Sequence, residues 1–390
     1  MEMNIMTYPK ALSKNDQRRL DELYSHLQAA SKTFAGYPCN TSFDYSELFR
    51  FLEFVINNIG DPFSYSNYQV NTHEFEQEVI GFFADLLQAG NYFRGYVCNG
   101  GTEGNLFGID LGLQRFPDAV LYYSVRAHYS IDKISRLLRV PVERIPALAN
   151  GEIDYTVLRQ RIAKNKDKSV VICANIGTTM TGAVDDINKI QTILAELKIK
   201  KFHLHGDAAL SGMILPFVKD PQPFNFADGI HSIAISGHKF IGSPLACGIV
   251  LTNQEPIKAH QPIIAYVKIT DNTISGSRSG LTTLILWYAI KRHGKQGFKQ
   301  LVERCFQHIE YGLEAFEKAG IAAWRNKNSI TLVFPRPAET LIKKWQLAPY
   351  ENIVHMMMMP HVNKDFVDEF LQDLLNSNTK GKKSNEKINC

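Results

Sequence analysis

The sequence predicts an α/β protein in which a mainly parallel sheet is covered by helices on both faces and followed by a smaller α/β unit. Three observations predict this. From about residue 92 to residue 251, apolar runs of strand length alternate with helical stretches, the pattern of a sheet buried on both sides. The residues just past those runs share one chemistry, and ligands of such sheets gather at the carboxyl ends of the strands. The 390 residues exceed a minimal core and suit a large domain with a smaller companion.

In chain order, Ser13 is a cap for a helix that places Leu20, Leu23, Tyr24 and Leu27 on one face. An irregular aromatic segment follows, FAGYPCNTSFDY (34–45), with no period to place it. Phe75, Val79, Phe82, Phe83 and Leu86 repeat at helical spacing, and Gly90 is a stop. Strand-like runs are GYVCN (95–99), AVLYY (119–123), SVVICAN (169–175), KFHLHGD (201–207), SIAIS (232–236) and ACGIVL (246–251). Helical stretches lie near 103–115, 130–139 and 186–198. An apolar helix over 281–292 ends at Gly294, and a further αβ unit reaches about residue 376. The expected divisions are an N-terminal segment 1–60, a large domain 61–290, a small domain 291–376 and a disordered basic tail 377–390.

Composition narrows the function. With 45% hydrophobic and 21% charged residues, a core can form without disulfides or metals. Of the net charge of +4, +3 belongs to the tail from Ser377 onward, which leaves the body no footprint for nucleic acid or membrane. The six cysteines are scattered with no CxxC pair, which suggests free thiols in a reducing compartment. No apolar leader or spanning stretch is visible, so the expected setting is cytoplasmic.

The chemistry sits at the strand ends. After the first strand, Gly100 and Gly101 allow a tight turn, and Thr102 and Glu103 open a helix whose free N–H groups suit a phosphate. Alone, this is only a glycine-rich turn. Thr178 and Thr179 follow a strand and either meet a ligand or cap the turn. Asp207 ends an apolar strand, where a carboxylate needs a cationic partner or a capping role. The protonated ring nitrogen of pyridoxal phosphate (PLP) would be such a partner, with Ala208 and Ala209 leaving room for a flat ring. Lys239 lies past the next strand end, 32 residues beyond Asp207. A desolvated lysine there becomes a nucleophile towards an aldehyde. By itself it would be read as a solvated charge; the joint pattern favours PLP. His128, after another strand, can stack on the ring and move a proton. The histidines at 26, 73, 203, 205, 231, 308 and 361 have no such context and are expected in the core or on the surface; no metal set is spaced for binding.

In order, NGGTEGN (99–105), AHYS (127–130), GTT (177–179), HGDAA (205–209) and SGHK (236–239) resemble the group II PLP-dependent amino-acid decarboxylases of fold type I. GYP (36–38), FDY (43–45), DDI (185–187), DAALSGMILPF (207–217), FADGI (226–230), ISGSR (274–278) and AWRNKNSITLVFP (323–335) are similar to the bacterial PLP-dependent histidine decarboxylases within that group. Two positions depart: Gly206 replaces a larger residue, and Ser279 stands where asparagine follows GSR.

The resemblance implies an aspartate-aminotransferase-like large domain with a seven-stranded sheet. It also implies a carboxy-lyase that converts L-histidine to histamine and CO2. The alternatives are another amino acid such as serine, whose decarboxylases share much of the pattern, or a fold type I aminotransferase. Lys239 would hold PLP as a Schiff base, Asp207 would pair with the ring nitrogen, and His128 would stack above the ring beside the substrate. Thr179 would contact the ring hydroxyl and Ala209 would lie beneath the ring. Gly101, Thr102, Ser236 and His238 would surround the phosphate. Tyr37 and Pro38 would line the substrate end. Relatives are dimers with active sites at the interface, so residues 1–60 would pack on a partner and Ser277 would reach the neighbour's phosphate. Tyr266, in PIIAYVKITDNTISG (262–276), resembles a loop tyrosine that returns the proton after CO2 leaves; His128 is its rival.

Overall fold

A computed structural model of the chain describes residues 11–255, 263–264 and 269–386. Seven strands form the main sheet: β1 (Arg94–Cys98), β2 (Val120–Ser124), β3 (Val142–Ile145), β4 (Val170–Asn175), β5 (Phe202–Asp207), β6 (Ser232–Ser236) and β7 (Gly248–Thr252). Their spatial order is β1-β7-β6-β5-β4-β2-β3. All neighbours are parallel except β7, which runs antiparallel to both β1 and β6. β2, β4, β6 and β7 are buried along their whole length, which explains their near-continuous apolar sequences. Because β7 reverses direction, β6 reaches it through the short connection 237–247 instead of a crossover helix. That connection carries Lys239.

Helix α3 (Gly101–Arg115) lies across β5, β6 and β7. It approaches closely because its inward positions are glycine: a Cβ on Gly104 would come within 2.8 Å of Ala234, and one on Gly112 within 2.9 Å of His203. α4 (Ser130–Leu138), α5 (Tyr155–Lys164) and α6 (Ile187–Glu196) follow β2, β3 and β4 in turn. Asp154 and Asp186 cap α5 and α6. Two elements escaped the sequence reading. β3 is four residues between Pro141 and Pro146 with mostly outward side chains, and α5 is short and polar.

Helix α7 (Gly280–Lys318) breaks at Gly294, whose φ of 55° and ψ of −175° lie outside the helical region, where the sequence indicated a stop. Ser279 caps α7 by accepting from Thr282 N–H. Serine and asparagine are near-equal caps, so this departure from the family pattern preserves its local role. Beyond the break, the strands Thr331–Pro335, Ala348–Tyr350 and Ile353–Met357 form an antiparallel sheet with the last in the centre. The helices α8 (Glu339–Lys344) and α9 (Lys364–Glu386) accompany it. α9 corrects one expectation: the stretch read as a disordered tail from Ser377 continues the helix to Glu386. An existing amphipathic helix extends without a new nucleation cost, which a composition-based reading of the tail omits. Among the described residues no helix is long and apolar enough to cross a membrane.

The unplaced aromatic segment 34–45 is a strap between the two sheets. Ala35 exchanges backbone hydrogen bonds with Trp345 and Met357, and His355 Nε2 lies 2.9 Å from Gly36 O. Farther along, Asn40 N–H donates to Lys239 O and its side-chain amide donates to Phe240 O. The small-domain sheet is thus tied to the Lys239 turn. A buried ion pair anchors the other flank. Arg278 meets Glu76 and also donates to Val97 O and Gly60 O, while Val97 N–H and the Asn58 amide donate to the Glu76 carboxylate. That many hydrogen bonds offset the desolvation of both charges. They fix the ribbon in which Ser277–Ser279 pairs with Asn57–Ile59.

Helix α1 (Lys14–Ser31) has Ser13 as its cap, as expected, but buries no residue. Leu20, Leu23, Tyr24 and Leu27 are 50–65% exposed. The apolar face foreseen in the sequence exists and has no cover among the described residues.

Candidate active site

The ends of β1, β4, β5 and β6 open onto one cavity of about 480 Å³. Gly101, Thr102, His128, Thr179, Asp207, Ala209, Ser236, His238, Lys239, Tyr37 and Pro38 all line it. Ser277 does not; it is exposed on the ribbon, where it accepts from the Asn57 amide. Tyr266 lies outside the described residues.

Gly100 begins α3 with φ 139°, a conformation that favours glycine. At Gly101 a Cβ would stand 2.7 Å from Ser236 Oγ. The backbone there must be bare, which leaves the first N–H groups of α3 and the Ser236 hydroxyl facing one small space. His238 Nδ1–H donates to Cys247 O at 2.9 Å, which turns its Nε2 edge away from the backbone. Both threonines border the cavity, and Thr179 is the exposed one. Thr178 is buried, accepts from Ala183 N–H and lies 2.9 Å from Thr181 Oγ1, so it holds the turn together. In the DDI motif, Asp185 is buried and accepts from Asn175 and Ile153 N–H groups, and Asp186 caps α6. Burial pushes the Asp185 carboxyl up to about 6 against those hydrogen bonds.

Asp207 closes β5, buried, with the Asn105 amide donating to its Oδ2 at 2.9 Å and Ala209 N–H to its Oδ1 at 3.3 Å. The Gly206 departure is filled from the sides: Ile230, Ile176 and Ile233 stand 3.2–3.6 Å from where its Cβ would be. Lys239 borders the cavity. Burial pushes its amine below the usual lysine range, and the charges of Asp207 and Cys39 pull it back up. A lowered value enlarges the neutral, nucleophilic fraction at a given pH. His128 Nδ1 accepts from Ser130 N–H and sits 2.8 Å from its hydroxyl, so the neutral ring carries its proton on Nε2. Burial lowers its pKa, with Asp207 opposing and Lys239 and Lys133 assisting.

The sequence reading missed two groups at the cavity. Asn105 belongs to the NGGTEGN motif without having been given a role. Ser329, Ile330, Thr331 and Met357 enter from the small-domain sheet. For Ser329, Ile330 and Thr331 the signal was present only as the family-like stretch AWRNKNSITLVFP, and Met357 had none, because no local pattern tells a strand in a remote domain which cavity it will border.

Residues 116–334 match the model of the pyridoxal-dependent decarboxylase conserved domain. The chain is 46% identical to a histidine decarboxylase of Vibrio campbellii over 368 residues, covering 93% of this chain and 95% of that one. It is 47% identical to the histidine decarboxylase of Morganella morganii, covering 93% and 97%. Among solved structures, L-methionine decarboxylase from Streptomyces sp. 590 superposes with a TM-score of 0.84 at 23% identity, covering 95% and 96% of the two chains. Glutamate decarboxylase of Lactobacillus brevis gives 0.79 at 16%, covering 97% and 95%. At those identities the superpositions establish the fold type I architecture. With the domain match spanning more than half of the sequence and near-full-length relatives at almost half identity, the chain belongs to the pyridoxal-dependent decarboxylases.

Proposed function

We propose that the protein decarboxylates L-histidine to histamine and CO2, using PLP held on Lys239. What carries the reading is a cavity that unites Lys239, Asp207 and the bare Gly101 turn, in a chain 46% identical to histidine decarboxylases along 93% of its length. The cofactor fits these residues: the Gly101 turn and Ser236 leave space that a side chain would fill, and Asp207 offers a buried acceptor.

When bound, PLP supplies an aldehyde that captures the amino acid's nitrogen and a protonated ring that takes up the electron pair left by CO2. The protein's own work is placement. Gly101, Thr102, Ser236 and His238 would hold the phosphate at the α3 N-terminus. Asp207 would set a negative charge opposite the ring nitrogen, Ala209 would leave room for the flat ring, and Thr179 would take the ring hydroxyl. His128 would cover one face of the ring. Tyr37 and Pro38 bound the substrate end, where the carboxylate must stand perpendicular to the ring for its bond to break. The proton returned to the α-carbon would come from Tyr266 or from a His128 ring that has first taken up a second proton. Purified protein given PLP and each proteinogenic amino acid should release equal amounts of CO2 and histamine from histidine. Amine formed mainly from serine would reassign the substrate. Consumption of an α-keto acid without CO2 would make the enzyme an aminotransferase.

The assembly we infer is a homodimer through the N-terminal segment. Leu20, Leu23, Tyr24 and Leu27 on α1, with Phe49, Leu52 and Phe54, are half exposed or more, a contiguous stretch of chain whose apolar groups need cover. Ser277, outside its own chain's cavity, is then placed to serve the neighbour. Sedimentation at assay concentration should give the dimer mass; a fully active monomer would refute it.

A further inference from the structure

Behind Asp207 a file of polar side chains runs through the core, away from the cavity. Asn105 Nδ2 donates to Asp207 Oδ2, and Asn105 Oδ1 lies 2.9 Å from His205 Nε2. His205 Nδ1 and His203 Nε2 are each 2.9 Å from Ser232 Oγ, and His203 Nδ1 is 3.3 Å from Gln254 Oε1. Asn105 is 2% exposed; His205, Ser232 and His203 are wholly buried. The room for both imidazoles is made by α3. A Cβ on Gly108 would overlap the His205 ring, and one on Gly112 would press on His203. Apolar residues would fill this space at lower desolvation cost, so a fully connected polar file calls for a role.

Its polarity is fixed from one end. A carboxylate only accepts, so Asn105 must offer its NH2 to Asp207 and its carbonyl to His205. His205 then donates from Nε2 and presents a bare Nδ1, which takes the Ser232 hydroxyl proton. Ser232 Oγ in turn accepts from His203 Nε2–H. The bare Nδ1 of His203 faces Gln254, whose NH2 completes the file once the amide is turned by that network.

We propose that Asn105, His205, Ser232 and His203 are positioning residues: a one-directional hydrogen-bond relay that locks a donor onto Asp207 and holds its carboxylate in place for the cofactor's ring nitrogen. This rests on the Asp207 reading above. The relay needs neutral imidazoles. Burial pushes His205 down to about 4 against the charge of Asp207. It also drives His203 well below the ordinary histidine range, with His231 and His205 adding to the effect.

The test starts on cofactor-free protein labelled with 15N-histidine. His205 and His203 should appear as neutral Nε2–H tautomers that do not titrate between about pH 6 and about pH 8. In the PLP-loaded enzyme, His205→Leu should lower kcat on the order of tenfold to a hundredfold and leave KM for histidine within about twofold. His205→Gln, whose amide nitrogen reaches the Nε2 position, should recover most of that loss. Should the leucine variant fail to fold, Ser232→Ala removes only the hydroxyl between the rings. It should shift the 15N signals of both and lower kcat without changing KM. A protonated Nδ1 on neutral His205, a cationic His205, or wild-type kcat in both His205→Leu and Ser232→Ala overturns the relay. Asp207→Asn separates the two ideas. If that variant keeps full activity, the Asp207 reading falls; if it is inactive while His205→Leu works normally, only the relay falls.

Discussion

Replacing Lys239 with alanine is expected to abolish turnover, by more than about a thousandfold in kcat, and to leave the fold intact. Among the described residues, the amine is the only strongly nucleophilic group this cavity offers an aldehyde, and burial has already shifted it towards its neutral form. Stability should change little because the turn is held by backbone atoms that survive the substitution. Asn40 N–H donates to the residue 239 carbonyl, and the residue 239 N–H donates to Ser236 O. Removing a desolvated ammonium also relieves a burial cost. The check is borohydride reduction of the PLP-loaded protein followed by peptide mapping. The wild type should carry the label on Lys239 and the variant should carry none. A label on any other lysine would defeat the assignment.

Asp207→Ala is expected to lower kcat on the order of a hundredfold to a thousandfold, the size of effect seen when a preorganised charge is removed from a reacting group. The effect on stability should be smaller and of mixed sign. The Asn105 amide loses its acceptor, costing about 1–3 kcal/mol, while a buried carboxylate no longer has to be desolvated. Turnover at saturating PLP, set beside a thermal melt, separates the two. Near-normal turnover with PLP bound would remove Asp207 from the chemistry.

What was legible in the sequence follows the range of the forces involved. The six apolar strands announced themselves because a strand buried on both faces must be apolar throughout. The edge strand β3 gave no such signal: Val142 is 40% exposed, and its neighbours Glu143 and Arg144 face outward. Strand-end positions placed Asp207, Lys239 and His128 in one cavity, since a parallel sheet sends all its carboxyl ends to the same side. His203 and His205 looked like ordinary core residues because their partners are non-local; Gly108 and Asn105 lie on a helix far away in sequence. The strap 34–45 likewise earned no assignment, as its order comes from backbone bonds to residues near 240 and 355 rather than from any period of its own. Thr178 and Thr179 show the finest limit. Of these identical neighbours, one hydroxyl is consumed by the turn at Ala183 and the other is left exposed.

The antiparallel β7 also dictates how the protein is made. β1 is an edge strand, and its ladder is with β7, Cys98 opposite Gly248. A chain emerging from the ribosome therefore presents β1 long before its partner exists. β2, β4, β5 and β6 can pair as they appear, but β1 must wait for β7 to slot between it and β6. Contacts so distant in sequence form slowly. The turn that follows β1 is the one proposed to hold the phosphate, so its final position also waits on β7. On the proposed placement of the phosphate, its seat is complete only once the sheet has closed.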